Sequence, residues 1–198
     1  MTRQGQAFER LHEVAARVMV RRGLHVATFR RKAELRALVP AFRELYNRSL
    51  GLVADNIPLT EGEVAALADR LLTIADPQLL KLVFRGAELV GFVFAYPDIG
   101  AAIQRCRGRL WPLGWARLLA AQRTTRLVDI NGMGIAQEHQ GLGGATILFS
   151  ELIKTLTDSR FDRAELVQIR AGNERMQREL GSLPIDWAKV HRVYAREL

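Results

Sequence analysis

The chain has 198 residues, of which 48% are hydrophobic and 25% are charged, and its formal net charge is +8. Its single cysteine, Cys106, excludes an internal disulfide and a cysteine-based zinc site. No apolar run reaches the roughly 18 residues that span a bilayer, and the N-terminus lacks the apolar stretch of a secretory signal, so we expect a cytoplasmic globular protein.

The predicted elements alternate along the chain. Helices are predicted over 3–22, over 32–50 with a kink at Pro40, from Thr60 to about Ala75 with Glu63 in a capping box, in two pieces over 99–123, over 146–157 and over 174–180. Strands are predicted over 25–31, 80–84, 88–96, 127–135, 164–169 and 187–195, with a hairpin turn at 85–87. This order predicts a mixed α/β or α+β domain.

The strand predicted over 127–135 contains an irregularity. Val128 and Ile130 share one parity, whereas Met133 and Ile135 share the other, so the alternation slips at Asn131–Gly132. A bulge at Gly132 would keep the apolar set on one face and leave backbone groups unpaired. Those groups can pair with an extended ligand, although a plain strand end with glycines explains the pattern equally well.

A glycine-rich turn follows this strand and precedes an amphipathic helix. Its residues are Gln140, Gly141, Leu142, Gly143, Gly144 and Ala145. Glycines permit close backbone approach, and the N–H groups at a helix N-terminus form an anion cradle. The dinucleotide fingerprint is poorly matched, and the Gly-Lys-Ser/Thr of a nucleotide-binding P-loop is absent.

The stretch INGMGIAQEHQGLGGATILFSEL (130–152) resembles motif A of the GNAT superfamily of N-acetyltransferases. ELVGFVFAYPD (88–98) looks like the preceding antiparallel strand, and AELVQIRAGNERM (164–176) is similar to the following strand and helix. The stretches 45–63, 96–103, 108–119 and 189–197 resemble an uncharacterised bacterial GNAT-like branch, whose members often carry a further N-terminal segment that we expect this chain to lack. The resemblance implies a central, mostly antiparallel mixed sheet flanked by helices, with an N-terminal helical extension over 1–23 and an acyltransferase domain over 24–198.

The resemblance also implies a ligand, acetyl-CoA or another acyl-CoA, and no metal. Backbone groups of Met133, Gly134 and Ile135 would pair with its pantetheine arm, the N–H groups of residues 140–145 would hold its pyrophosphate, and Asn173 would lie near their junction. An N-cap is the structural alternative for Asn173.

Transfer of an acyl group to an amine needs a base, and the leaving thiolate needs a proton. Asp129 and Glu138 are the base candidates, although Glu138 also fits an exposed or ion-paired carboxylate. Relatives often place a tyrosine acid where this chain has Leu180, which leaves Tyr194 as the downstream candidate, with a buried core tyrosine as the alternative. Tyr46, Asn47 and Asp98 are the candidate acceptor-binding residues, and Asp98 also fits a turn.

The predicted function is therefore transfer of an acetyl or longer acyl group from acyl-CoA to a primary amine, such as an amino-acid-like acceptor, through a ternary complex. One alternative is a donor carried by an acyl carrier protein, because six arginines and no acid lie between residues 101 and 126, together with Trp111 and Trp115. A solvated basic face explains the same charge. A CoA-binding module without catalysis is the other alternative. A homodimer is left open, and no motif indicates specific nucleic-acid binding.

Overall fold

The computed structural model of the chain describes residues 3–29, 31–50, 60–63, 66, 76–167, 169, 171–181, 183, 185–192, 194 and 196. Its helices and strands there are α1 (Arg3–Arg22), β1 (Leu24–Ala27), α2 (Lys32–Arg36), α3 (Val39–Leu50), β2 (Leu80–Arg85), β3 (Glu88–Pro97), α4 (Gly100–Cys106), α5 (Gly114–Thr124), β4 (Leu127–Ile135), α6 (Gly144–Thr157), β5 (Arg163–Leu166) and α7 (Glu174–Leu180). The predicted α/β class, a central sheet flanked by helices, is confirmed.

The five strands form one sheet in the order β1-β2-β3-β4-β5. The first three pairs are antiparallel, and β4 pairs with β5 in parallel. A parallel pair needs a crossover connection, which α6 supplies. The mixed, mostly antiparallel sheet is therefore as predicted.

Helices cover both faces of the sheet. On one face, α1 and α6 enclose a core that includes Ala15, Val93, Val128 and Leu148. On the other face, α3 packs Leu45 and its aromatic residues against β3. The central strand β3 is buried on both faces along most of its length, and it is apolar from Leu89 to Ala95.

The helix α1 belongs to the first of these cores. Ala15 is fully buried there, and the His12 ring nitrogen Nδ1 lies 2.8 Å from the hydroxyl of Ser150 on α6. The small side chain of Ala15 lets the two helices approach closely. The division of the chain between residues 23 and 24 stays a prediction.

Several predicted boundaries differ from the structure. The helix predicted over 32–50 is split into α2 and α3 at Ala37–Leu38, and Pro40 lies in the first turn of α3, where a missing N–H costs little. The predicted capping box is present, since Glu63 N–H donates to Thr60 Oγ1 at 3.3 Å and Thr60 N–H donates to the Glu63 carboxylate at 2.9 Å. Most of the helix predicted beyond Glu63 lies outside the described residues.

The last predicted strand, over 187–195, is wrong for the residues described there, because 185–192 and 194 form no strand. Trp187, Val190 and Tyr194 are exposed, and they lie three and four residues apart. Since a strand places every second side chain on one face, this spacing gives no continuous apolar face to bury.

Among the described helices, none combines the length and apolarity that crossing a bilayer requires.

Candidate active site

The strand β4 contains the predicted bulge, but the extra residue is Asn131, one position before the predicted Gly132. Phe94 of β3 pairs with Gly132, and its neighbour Ala95 pairs with Ile130, so Asn131 is the extra residue. The bulge keeps Ile130 and Met133 on the same face, packed against the core under α1 and α6. The apolar alternation therefore resumes after the bulge without turning the strand over.

Beyond the bulge, one edge of β4 is open. The pairing with β5 runs from Leu127 to Ile130, and Val167 N–H then donates to Ile130 C=O at 3.1 Å. In the described part of the chain, no strand continues this pairing along residues 131–135. The pairing of β4 with β5 thus ends at Ile130, and we call the space beside the open edge of β4, over residues 131–135, the cleft.

The backbone groups on that open edge belong to Met133 and Ile135. Ala136 N–H donates to Val90 C=O on β3, and antiparallel pairing alternates, so the groups of Gly134 also face β3. Gly134 instead makes room on the face covered by α3, where an added Cβ would lie 2.6 Å from both Phe92 Cε1 and Ser49 Oγ. Of the three residues predicted to pair with a ligand, two therefore present their backbone to the cleft.

The glycine-rich turn connects β4 to α6. Gly141 and Gly143 have φ of 76° and 88°, a left-handed conformation that favours glycine. A Cβ on Gly143 would also lie 2.8 Å from Val18 of α1. Gln140 Nε2 donates to Ile135 C=O at 3.1 Å and fixes the turn to the end of β4. The first N–H groups of α6 have no partner within the helix, so the turn presents donors to an anion.

A cavity of about 230 Å³ borders this turn beneath the end of α1. Leu142, Gly144 and Ile135 line it on the side of the turn. Three arginines line it as well: Arg21, Arg22 and Arg85. The positive charge adds to that of the helix N-terminus, so the surroundings of the turn favour phosphate groups.

At the other end of β4, a tyrosine and two carboxylates lie together. Tyr96 and Asp129 are directly paired across β3 and β4, and their side chains share the face covered by α3. The bulge residue Asn131 donates from Nδ2 to the Tyr96 hydroxyl at 3.0 Å. Asp98 follows β3, and its carboxylate accepts from Gly100 N–H at 2.6 Å. Polar groups therefore border the cleft where the pairing of β4 with β5 ends.

The pKa of Asp129 is raised by partial burial and, to a smaller extent, by the negative charges of Asp98 and Glu165. The pKa of the Tyr96 phenol is raised by burial and then by Asp129, whereas the hydrogen bond from Asn131 lowers it. A carboxyl group with a raised pKa accepts protons more readily, and a neutral phenol can donate one. The pair has the acid and base character that acyl transfer needs.

Glu138 is ion-paired. Arg48 of α3 lies 3.2 Å from Glu138 and 3.8 Å from Glu88. The ring of His139 is buried, with Nε2 3.6 Å from Glu88 and Nδ1 without a hydrogen-bond partner in the structure. These groups tie the turn to α3 and to the β2–β3 hairpin, as expected for the ion-paired alternative.

The predicted residues downstream of α6 have structural positions. Leu180 is buried, with 2% of its surface exposed. Tyr194 is 82% exposed, so the alternative of a buried core tyrosine is wrong. Asn173 caps α7, because its Oδ1 accepts from Met176 N–H at 3.1 Å. Its predicted contact with the ligand stays a prediction, as does the acid role of Tyr194.

The candidate acceptor-binding residues lie on two parts of the fold: Tyr46 and Asn47 are on α3, and Asp98 follows β3. Tyr46 stacks on Phe92 with ring centroids 6.4 Å apart, and Asn47 is partly buried beside it on α3. Asp98 makes the turn that leads into α4, as its alternative interpretation predicted. Its charge also acts on Asp129 and Tyr96, so a structural position and an electrostatic effect coexist.

Sequence reasoning missed Tyr96 and Asn131. The resemblance points to an acid downstream of α6, whereas Tyr96 lies upstream, in β3. Both signals were nevertheless present, since Phe92, Phe94 and Tyr96 alternate on one face of β3 and the parity slip in β4 marks Asn131. Pairing the two strands in register would have brought the phenol to the bulge.

The geometry can be compared with known structures. An aminoglycoside acetyltransferase, AAC(6')-Iy in complex with a CoA-containing bisubstrate analogue, matches 88% of this chain and 99% of its own with a TM-score of 0.55 at 13% identity. The ribosomal-protein-S18-alanine N-acetyltransferase of Escherichia coli matches 86% of this chain and 83% of its own, with a TM-score of 0.54 at 12% identity. The chain has the GNAT fold.

Two bacterial proteins are similar in sequence. Protein YghO of Escherichia coli is 25% identical over 162 residues, which are 79% of this chain. A bacterial ceramide synthase of Caulobacter vibrioides is 26% identical over 147 residues, or 71% of this chain. The GNAT-fold chain spans 42% and 38% of the length of these two relatives. No family model matches it.

Proposed function

We propose that this chain transfers an acetyl or longer acyl group from acyl-CoA to a primary amine through a ternary complex in the cytoplasm. The observation that carries the proposal is the open edge of β4, which runs from the Asn131 bulge to the glycine-rich turn. It offers a backbone track for an extended arm, followed by an anion cradle. The GNAT fold of CoA-binding enzymes supports it.

The residues fit the donor along its length. The N–H and C=O of Met133 and the N–H of Ile135 face the cleft and suit the amide groups of pantetheine, whereas Ile135 C=O accepts from Gln140 Nε2. The N–H groups of residues 140–145 suit the pyrophosphate, because glycine at 141 and 143 adds no side chain beside them. Gly134 would act by keeping the strand close to α3 rather than through its own N–H.

The chemistry assigns one role to each member of the pair at the bulge. Acyl-CoA supplies an activated thioester, whose C–S bond breaks as the C–N bond to the amine forms. Asp129 accepts the proton that the amine nitrogen loses, and Tyr96 donates its hydroxyl proton to the sulfur. Asn131 positions the phenol through its hydrogen bond to the hydroxyl oxygen. General acid and base catalysis of this kind is worth about 10²–10⁴ in rate.

A long-chain amine is the acceptor class that we propose to test first. One sequence relative is named a bacterial ceramide synthase, and a ceramide is the N-acyl derivative of a long-chain amino alcohol. The structural neighbours include acetyltransferases named for aminoglycosides and for a ribosomal-protein alanine, which have the same fold at 10–13% identity. The sequence relative therefore carries more weight in choosing the acceptor.

Ligand binding to the native state raises the thermal midpoint by mass action, which gives a direct test of the donor site. Leu142 lies in the turn with an ordinary backbone angle and lines the cavity, so it can carry a charge without backbone strain. We expect acetyl-CoA or a longer acyl-CoA to raise the midpoint of the wild type and of Leu142→Gln. Leu142→Glu places a negative charge at the cradle, so it should lose most of the shift.

Turnover distinguishes an enzyme from a binding module. Release of free CoA thiol is measured with an amine panel that contains amino acids, aminoglycosides and long-chain amino alcohols. Thermal shifts without thiol release from any amine would favour the module without catalysis. Equal midpoints with and without every acyl-CoA would contradict the proposed donor, and a carrier-protein donor would then be tested in the same assay.

A further inference from the structure

The segment between β3 and β4 carries an exposed apolar and basic surface. We define the 100–124 hairpin as α4, the turn over 107–113, and α5. Its exposed large apolar side chains are Ile103, Leu110, Trp111, Leu113, Trp115 and Leu119. Trp111, at the tip, is 82% exposed. Exposure of two tryptophans and several aliphatic side chains in one segment marks an interaction surface.

The same segment is strongly cationic. Its exposed arginines are Arg105, Arg107, Arg109, Arg117 and Arg123, and it contains no aspartate or glutamate. Among the described residues, none of these five forms an ion pair with an acid. Their charge is therefore available to an anionic surface outside the molecule.

The hairpin is an ordered platform. Cys106 is buried and its thiol lies 3.7 Å from Gly114 C=O, where it joins the two helices. Arg109 N–H donates to Cys106 C=O at 2.8 Å, and Trp115 N–H donates to Leu110 C=O at 3.0 Å. The apolar side chains are thus held outward by a fixed backbone rather than by a loose loop.

We propose that the 100–124 hairpin docks this protein on the surface of an anionic lipid bilayer. Tryptophan is enriched where hydrocarbon meets the polar headgroups, and arginine is attracted to anionic headgroups. An interfacial segment of this kind lies on the bilayer and does not cross it. The hairpin meets both requirements, because its tip inserts apolar side chains and its helices carry the flanking positive charge.

An acidic protein is the competing occupant. It would match the arginines, but the turn of the hairpin also exposes the large apolar side chains of Leu110, Trp111 and Leu113. A fluid lipid interface accepts such side chains without a fitted pocket. Trp115 and Leu119 are one helical turn apart on α5 and extend the apolar surface from the tip along the helix. The observations therefore favour a lipid surface over an acyl carrier protein.

The hairpin lies next to the proposed acceptor side of the sheet. It leaves β3 at Pro97 and returns at Leu127, and Asp98 N–H donates to Leu127 C=O at 2.9 Å where the two ends meet. Tyr96 and Asp129 lie at this same end of the sheet. A lipid-borne amine would therefore reach the acceptor side directly, a consequence that rests on the proposed function, whereas the docking itself does not.

Sedimentation with vesicles tests the docking without any acyl-CoA. We expect at least tenfold more wild-type protein to bind vesicles of phosphatidylcholine and phosphatidylglycerol (3:1) than phosphatidylcholine alone, with the difference reduced by salt. Trp111→Ser and the pair Arg109→Glu and Arg117→Glu should each lower binding severalfold. The matched control is Trp187→Ser, since that exposed tryptophan lies outside the hairpin. All these side chains are exposed, so unchanged thermal midpoints verify folding.

Fluorescence gives a second readout. The chain has three tryptophans, so Trp187→Phe leaves only the two of the hairpin. Their emission should shift to shorter wavelength with anionic vesicles and stay unchanged with neutral ones. Equal binding to both vesicle types, or wild-type binding by the hairpin variants, overturns the proposal. A third result would also overturn it: the wild type binds no vesicles, and the arginine variant loses turnover with an acyl carrier protein as donor. The arginines would then bind the carrier protein. The thermal shift with acyl-CoA is independent of vesicles, so failure of either proposal is recognised separately.

Discussion

At the residue scale, the structure gives different surroundings to the two base candidates, Asp129 and Glu138. Asp129 lies on the sheet face beside Tyr96, and its pKa is raised by burial and by Asp98. Glu138 is exposed and pairs with Arg48 at 3.2 Å. The Glu138 carboxylate therefore has a structural partner, whereas Asp129 is paired across the strands with the Tyr96 phenol. We therefore propose Asp129, and not Glu138, as the base.

Replacement of Asp129 by asparagine should change activity and stability in opposite directions. We expect kcat/KM to fall by about 100-fold or more, because the proton acceptor is lost. A raised carboxyl pKa means that the folded state disfavours the ionised form, so stability decreases as pH rises above the unfolded value of 3.8. At neutral pH the uncharged asparagine removes this penalty, and the thermal midpoint should rise.

Glu138→Gln is the matched control, and it should leave kcat/KM within a few-fold of the wild type. In the wild type, kcat/KM should fall at low pH as Asp129 takes up a proton, at a pH above the usual range for aspartate. This fall should be absent in Asp129→Asn. Tyr96→Phe should lower kcat while the thermal shift with acyl-CoA persists. Loss of activity in Glu138→Gln but not in Asp129→Asn would reverse the assignment.

At the element scale, the packing of β4 against the aromatic layer under α3 requires glycine at positions 132 and 134. A Cβ on Gly132 would collide with the ring of Phe94, and one on Gly134 would meet Phe92 and Ser49. Phe92 is fully buried, with Phe42 packed edge-on at 4.7 Å between ring centroids, so its ring cannot move aside. The glycines let the strand lie close to this aromatic layer while its opposite edge stays open.

Gly134→Ala should therefore destabilise the fold by about 1–3 kcal/mol, the usual cost of overpacking a filled core. Urea unfolding followed by far-UV circular dichroism measures this difference. Gly62→Ala is the control, because nothing lies within 4 Å of its added Cβ, and alanine is the better helix former. Equal unfolding midpoints for wild type and Gly134→Ala would show that the layer is looser than the structure indicates.

The sequence predicted the bounds of β4 and also its irregularity and the turn that follows it. The parity slip at 131–132 indicated the bulge, and the glycines indicated the turn, because both are local backbone requirements. Periodicity does not point to Tyr96, the proposed acid, because its phenol meets the bulge only through the pairing of β3 with β4. The strand predicted over 187–195 was wrong because β-forming residue types were present without a spacing that buries one face.

At the scale of the whole molecule, α1 is fixed to the sheet by groups far apart in the sequence. Ala15 enters the core with Leu148 and Leu152, and Val18 lies against the glycine-rich turn. The contact between His12 Nδ1 and Ser150 Oγ joins residues 138 positions apart. A single-sequence pattern indicated the helix but not this docking, since no local signal identifies the partner of an apolar face. Because α1 also contributes Arg21 and Arg22 to the cavity, its docking shapes the surroundings of the turn.

The contact between α1 and α6 should make stability depend on pH near neutrality. The pKa of His12 is lowered by burial and by the charge of Lys154, with Glu151 opposing. The folded state therefore favours the neutral ring, whereas the unfolded chain takes up a proton near the ordinary value of 6.5. Stability from this group is complete above that value and is lost as pH falls through it toward the lowered folded pKa.

We expect the urea midpoint of the wild type to fall between pH 7.5 and pH 5.5 by more than that of His12→Asn, in which no ring titrates. His191→Asn replaces an exposed histidine and should retain the full wild-type dependence on pH. The difference between these two variants cancels titrations shared by all three proteins, including that of Asp129. The same pH dependence in His12→Asn as in the wild type would place the linkage elsewhere, and the joint between α1 and α6 would then be held by Ala15 and its apolar neighbours alone.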